Sequence, residues 1–202
     1  EGQLLPRSFD TIFMGAAGGS GDSYWIALLG GSASEEGLGV TVDSSDNIFV
    51  CGPTASDGAG NTDGLLAKYN TDGTLLWDKT LGGSDPELFY APATDSNGNV
   101  YVTGYTQSQG VAYYDALTTK YNSSGDIQWQ RIIGATYYDT GDAIAVDSSG
   151  NVYVTGRLRN SEQVDHLSLL KYNTSGSLQF QTALDWGGGK GSHGRGIAFD
   201  SS

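Results

Sequence analysis

Short apolar stretches recur along the chain, each bounded by a cluster of Asp, Ser, Asn and Gly, which is the pattern of strands joined by tight turns. Three near-identical strings, DSSDNIFVCG at 43–52, DSNGNVYVTG at 95–104 and DSSGNVYVTG at 147–156, begin 52 residues apart, and a fourth start at Asp200 follows after 53. The strands inside them, such as Val100, Tyr101 and Val102, are apolar on both faces. A small sheet needs this when it is sandwiched between neighbours rather than half exposed to water. In the third copy the pattern predicts four strands, over 143–146, 152–156, 167–172 and 178–184.

Independent markers keep the same period. Lys68, Lys120 and Lys171 each open a Lys-Tyr-Asn triplet, and Trp25, Trp77, Trp129 and Phe180 form an aromatic ladder with steps of 51 or 52. Landmarks in step make a repeat architecture the explanation and chance similarity a poor one. In the first hairpin Asp147 is expected to accept backbone N–H bonds while Gly150 and Asn151 take left-handed positions. Asp46 stands where the other copies carry Gly, and Asp tolerates that region. The second hairpin repeats the logic with NTDG at 70–73, NSSG at 122–125 and NTSG at 173–176. Four-stranded units of this length repeated around an axis describe β-propeller blades, whose radial packing protects short sheet edges. A linear β-solenoid fits less well, because its coils repeat at shorter periods and need no pair of hairpins.

The expected fold is therefore an all-β, β-propeller-type array of four-stranded antiparallel blades. A Gly-rich leader or docking segment spans 1–23 and a repeat domain spans 24–202, with repeats near 37–88, 89–140 and 141–193 and a partial copy at 194–202.

Composition narrows the function. Gly is abundant at 31 residues and Tyr at 12, while Met and Cys occur once each, in keeping with strands and tight turns. A formal net charge of −13 disfavours an electrostatic grip on nucleic acid, anionic lipid or phosphate. Cys51 has no second cysteine to pair with inside the chain, which excludes a disulfide framework. No stretch approaches the roughly 20 apolar residues of a membrane span, so no membrane insertion is expected.

The D-S-S-G-N-V-Y-V-T-G hairpin, the K-Y-N-x-x-G turn and the Trp that follows together resemble the bacterial β-propeller repeat called SBBP, over about 24–202. The resemblance implies a binding or structural scaffold and a ring of about seven blades. Of these the sequence supplies three complete repeats and one opening strand, an array cut in mid-repeat; 25–29 matches the last strand of a blade and 196–200 the first. The stretch FMGAAGGSGDSYWIALLGG resembles the N-termini of virion structural proteins of environmental tailed phages that carry such repeats, which implies a virion location.

Candidate chemistry is sparse. The two histidines, His166 and His193, fall in different repeat phases and lack a triad context; Asp165 beside His166 reads as an exposed loop pair. Turn carboxylates recur at Asp43, Asp46, Asp95, Asp147 and Asp200 and serve turn geometry first. Asp57, Asn61 and Asp63 in DGAGNTDG are the best candidates for a Ca²⁺ site, since hard cations take such oxygen ligands, although a polar loop explains them as well. GGGKGSHG at 187–194 lacks the spacing of a phosphate loop, and the sequons at Asn122 and Asn173 fall in hairpin turns. The aromatic ladder reads as core between blades, with stacking on sugar rings as the alternative. Tyr113, Tyr114, Tyr137 and Tyr138 lie outside the strict repeat and are the expected binding residues.

These observations lead to a non-enzymatic virion structural protein, a phage tail or fibre component whose propeller is a scaffold for protein or host-surface binding. Its expected partners are other virion proteins, copies of itself, and a host-surface glycan or protein; no cofactor is required. A secreted or cell-surface adhesion module binding glycan or protein is the alternative. A propeller hydrolase or lyase would need polar residues, a metal or paired carboxylates converging on the axis.

Overall fold

The computed structural model describes residues 12–15, 24–27, 29–110, 113–134, 137–184 and 191–199, the first two segments by their backbone alone. Strands β1 (Ile12–Gly15) and β2 (Tyr24–Ala27) form an antiparallel pair. Three four-stranded antiparallel sheets follow. The first contains β3 (Gly39–Val42), β4 (Ile48–Thr54), β5 (Asp63–Tyr69) and β6 (Leu75–Leu81). The second contains β7 (Glu87–Thr94), β8 (Val100–Thr106), β9 (Asp115–Tyr121) and β10 (Ile127–Ile133). The third contains β11 (Thr140–Val146), β12 (Val152–Arg159), β13 (Asp165–Tyr172) and β14 (Leu178–Leu184). Each strand pairs with the next in chain order, so each sheet is a meander with the up-and-down order of a propeller blade, and the chain is an all-β array of such blades. None of the described residues forms a helix long and apolar enough to cross a membrane.

The four predicted strands of the third copy are present, three of them longer than expected. The strand expected to open a fourth copy is not formed over the described part, 196–199. There Phe199 packs edge-on against Tyr153 at 4.8 Å. Asp200 lies outside the described residues.

Turn chemistry explains the repeated strings. Asp95 Oδ1 accepts the backbone N–H groups of Asn97 and Asn99 at 2.9 and 3.0 Å, and Asp43 and Asp147 make the equivalent pairs. Asp46 (φ 59°) takes the left-handed position filled by Gly98 (φ 75°) and Gly150 (φ 80°) in the other copies. Asn151 is not left-handed as expected. Its side-chain amide instead donates to Asp147 Oδ2 at 2.8 Å, which ties the turn from the other side. In the second hairpin Asn70, Asn122 and Asn173 accept in the same manner.

The core lies between the blades. Phe49, Cys51 and Leu66 of the first blade form one cluster with Phe89, Val100, Val102, Leu117 and Tyr121 of the second. Tyr101 and Trp129 of the second meet Ile144, Val152, Val154, Leu170 and Tyr172 of the third. Each fully buried side chain of this size stabilises by about 1.5–3 kcal/mol, so these shared clusters hold neighbouring blades together. Burial also pushes the Cys51 thiol up to about 12, leaving it an unreactive core group.

Candidate functional site

Two β-bulges place the site. Pairing between β7 and β8 steps from Phe89–Gly104 to Ala91–Thr103 and leaves Tyr90 as the extra residue. Between β11 and β12 it steps from Gly141–Gly156 to Ala143–Thr155 and leaves Asp142. A bulge breaks the two-residue alternation and re-aims the extra side chain. Tyr90 and Asp142 are 52 residues apart, and Leu38 stands 52 before Tyr90, just ahead of β3. All three line a single cavity of about 460 Å³, together with Thr140, Arg157, His193 and Arg195. Arg157 in turn occupies the repeat position of Pro53 and Tyr105. Leu38, Tyr90 and Asp142, like Pro53, Tyr105 and Arg157, are thus repeat positions whose chemistry changes from copy to copy.

A run of tyrosines leads out of the cavity. Tyr90 lies 5.9 Å from Tyr105, Tyr105 lies 4.3 Å from Tyr114, and Tyr114 meets Tyr138 edge-on at 4.8 Å. Tyr138 stacks with Tyr113 at 5.6 Å, and Tyr113 is 64 % exposed. The structure therefore brings together three of the four tyrosines expected to bind. Tyr137 enters by its backbone, its carbonyl accepting the Tyr114 N–H at 3.4 Å. Burial raises the Tyr90 phenol, the Asp142 carboxylate adds to the rise, and Arg157 opposes it. Tyr105 is pushed up to about 12, first by burial and then by Tyr90 and Tyr114. Both phenols are neutral donors at physiological pH.

Asp165 is not the exposed loop residue that the sequence suggested. It opens β13, is 9 % exposed, and pairs with His193 rather than His166, its Oδ2 lying 3.1 Å from His193 Nε2. Arg159 clasps the carboxylate in a two-point contact through Nε to Oδ1 and Nη2 to Oδ2, the latter at 3.1 Å. The Arg159 hydrogen bond is the main cause holding the Asp165 carboxyl below its ordinary range; burial opposes it, and Arg157 and His193 assist. A carboxyl held so low is ionised at neutral pH and is no proton donor there. The Arg159 guanidinium also lies over the Tyr138 ring at 5.0 Å, so one side chain braces both the ionic cluster and the tyrosine run. His193 is positioned by its own segment: the Ser192 N–H donates to Asp165 O at 2.9 Å, and the Gly194 N–H to Gly156 O at 3.0 Å. Its Nδ1 lies 4.0 Å from Asp142 Oδ2. Polar residues do converge beside the first strands of the blades, around Asp142, Arg157, His193 and Arg195.

The three residues considered for Ca²⁺ divide. Asp57 and Asn61 are exposed, whereas Asp63 is 1 % exposed at the start of β5, its Oδ2 accepting the Gly60 N–H at 3.2 Å. A Cβ on Gly58 or Gly82 would lie 1.8 or 1.4 Å from the Asp63 carboxylate oxygens, so two glycine backbones close against it. Asp115, 52 residues on, is held in the same manner by Gly110 and Gly134, which makes the arrangement a recurring clasp of the blade corner. No group of three or more His, Cys, Asp or Glu side chains suited to a metal occurs among the described residues. Of GGGKGSHG only 191–194 falls within the described residues, and it supplies His193. In the aromatic ladder Trp129 is buried as core, while Phe180 is 42 % exposed on the outer face of β14; the Trp25 side chain lies outside the described residues.

Residues 93–110 and 128–157 match the model of the SBBP family, a beta-propeller repeat. Over 167 residues the chain is 29 % identical to the regulatory protein FlaEY of Caulobacter vibrioides, covering 71 % of this chain and 18 % of that protein. An uncharacterised WD repeat-containing protein of Acanthamoeba polyphaga mimivirus is 24 % identical over 201 residues, covering 72 % of this chain and 14 % of that protein. The chain thus spans under a fifth of the length of these curated relatives. Among solved structures it is similar to a eukaryotic initiation factor at a TM-score of 0.45, with 6 % identity and coverage of 74 % of this chain and 32 % of that one. It is also similar to a gluconolactonase from Xanthomonas campestris at a TM-score of 0.41, with 14 % identity and coverage of 76 % and 50 %.

Proposed function

We propose that the chain is a non-enzymatic binding scaffold that takes its ligand along the tyrosine run and in the adjoining cavity. A beta-propeller repeat fold suits such a role, because rigid blades carry variable positions without altering their own core. The observation that supports the reading best is the unbroken sequence Tyr113–Tyr138–Tyr114–Tyr105–Tyr90, which runs from an exposed ring to the cavity wall. Flat rings with a polar edge bind glycans and proteins at low cost in conformational entropy.

The test is retention of the labelled protein on an immobilised glycan panel and on envelope proteins, with Tyr113→Ala and Tyr138→Ala as variants. Each substitution is expected to lower retention at least tenfold, and retention unchanged by both rejects the proposal. Release of a soluble product from the retained material over time overturns its non-enzymatic part. Binding is proposed to survive removal of calcium by a chelator; loss on chelation would assign Asp57, Asn61 and Asp63 a metal. The narrower proposal, a tail or fibre component of a phage particle that meets other virion proteins or copies of itself, draws its support from the N-terminal resemblance. Nine of the 19 residues of that segment lie outside the described residues, and recovery of the protein only from soluble fractions, never from purified particles, would sink it.

A further inference from the structure

The cavity lining carries a local excess of cations, Arg157 and Arg195 against Asp142. Against a net charge of −13, three of the five arginines, Arg157, Arg159 and Arg195, gather here beside His193. Arg159 is consumed by its two contacts with Asp165. Arg157 is held more loosely: its Nη1 forms an ion pair with Asp165 Oδ2 at 3.8 Å, beyond hydrogen-bond range, and its buried Nε has no acceptor among the described residues. Arg195 is exposed at the rim. Two guanidinium groups in one small cavity call for an anionic acceptor, and a planar carboxylate matches their fork geometry.

The opposite wall requires something else. Asp142 accepts the Thr140 hydroxyl at 2.7 Å through Oδ1, and its Oδ2 lies 4.0 Å from His193 Nδ1, so the carboxylate has acceptor capacity left for ligand hydroxyls. Tyr90 and Leu38 supply an aromatic face and an apolar edge. A simple anion would be repelled by Asp142, and a neutral sugar would leave the Arg157 guanidinium with no more than its 3.8 Å ion pair to Asp165. A ligand with a carboxylate, neighbouring hydroxyls and a flat C–H face uses every wall. At about 460 Å³ the cavity falls in the lower part of the range of small-ligand sites.

We infer that the cavity binds a uronic-acid residue of an acidic glycan, with Arg157 and Arg195 on the carboxylate, Asp142 on the hydroxyls and Tyr90 against the ring. The inference rests on the scaffold reading and gives the ligand class for the same site. The polymer continues along Tyr105, Tyr114 and Tyr138 to Tyr113.

The test uses the full 202-residue chain. Affinities for oligomers of galacturonate are compared by calorimetry with those for the matching neutral galactose oligomers, for acetate and for inorganic phosphate. The acidic oligomer is expected to bind at least tenfold more tightly than the neutral one, and the preference should shrink as salt rises. Arg157→Gln and Arg195→Gln should each remove most of that preference, the affinity for the acidic oligomer falling toward that for the neutral one; Arg195 is exposed, so its variant folds even if the other does not. Equal affinity for acidic and neutral oligomers overturns the inference, as does phosphate or acetate binding as tightly as the uronate. Should no sugar bind while Tyr113→Ala and Tyr138→Ala still abolish retention of a protein target, the scaffold reading stands and the uronate inference falls.

Discussion

The recurring side chains form one device, repeated three times. Phe49, Lys68 and Trp77 face one another across β4, β5 and β6; Tyr101, Lys120 and Trp129 do so in the second blade, and Tyr153, Lys171 and Phe180 in the third. Each lysine Nζ lies 4.9–5.1 Å from the centroid of the Phe or Tyr ring in its row. The turn Asp reads which ring is present. Asp95 and Asp147 accept the hydroxyls of Tyr101 and Tyr153 at 2.9 and 3.3 Å, whereas Asp43, facing a Phe, takes Lys68 at 3.6 Å. Burial alone would raise the Asp95 carboxyl, but the side chains of Asn99 and Tyr101 and the backbone N–H groups of Asn99 and Asn97 outweigh it and hold it below 3.8; Asp43 and Asp147 are lowered by the same kind of contacts. A carboxyl whose folded pKa lies below its unfolded value stabilises the fold above that unfolded value and loses the contribution as pH falls through the folded one. The urea midpoint is therefore expected to be flat down to about pH 5 and to drop below about pH 4. Asp95→Asn should lower the midpoint at pH 7 and flatten the acid drop; an equally steep drop in that variant would show that this turn carries none of it.

The four strands per blade and both hairpins were legible from apolar runs and turn residues, because those signals are local. The bulges were not. Nothing in the sequence of β7 or β11 marks Tyr90 or Asp142 as extra, since a bulge is a mismatch between two strands rather than a property of one. The Gly that ends each D-S-x-x-N string was visible as a recurrence without a cause. The cause is the neighbouring backbone, bulged in the second and third blades: a Cβ on Gly52, Gly104 or Gly156 would lie 1.8, 1.8 or 2.0 Å from the carbonyl oxygen of Glu36, Leu88 or Thr140. Gly104→Ala must therefore displace backbone, and it is expected to cost about 1–3 kcal/mol in urea unfolding. Because the shift falls on the strand that carries Tyr90, the same variant should also weaken binding at the cavity. Lost stability with unaltered affinity would separate the bulge from the site. The cavity itself had one sequence signal: the sets Leu38, Tyr90, Asp142 and Pro53, Tyr105, Arg157 are repeat positions at which the copies disagree in chemistry. Constancy marks the core of a repeat, and disagreement marks what the repeat presents.

Across the whole molecule, stability in a repeat array is the sum of terms within blades and terms between neighbours. Equivalent sequence positions need not be energetically equivalent, and the ladder shows this directly. Trp129 is 8 % exposed, its Nε1–H donates to Thr174 O at 3.3 Å, and its neighbour Arg131 reaches the carbonyls of Ser175 and Gly176, so the outer strand of the second blade grips the turn of the third. Trp77 makes the same bond to Ser123 O at 3.1 Å. Phe180 stands at the corresponding point of the third blade, yet every residue of β14 is exposed. Period and residue type are local and were readable; which face has a neighbour is a property of the assembled array and was not. Trp129→Ala is accordingly expected to cost about 3–5 kcal/mol, as for a truncated core aromatic. Phe180→Ala should cost no more than about 0.5 kcal/mol in the same urea titration. Equal losses at the two positions would mean that the outer face of β14 is covered in solution, and the dependence of the Phe180→Ala loss on protein concentration would then tell whether a second molecule covers it.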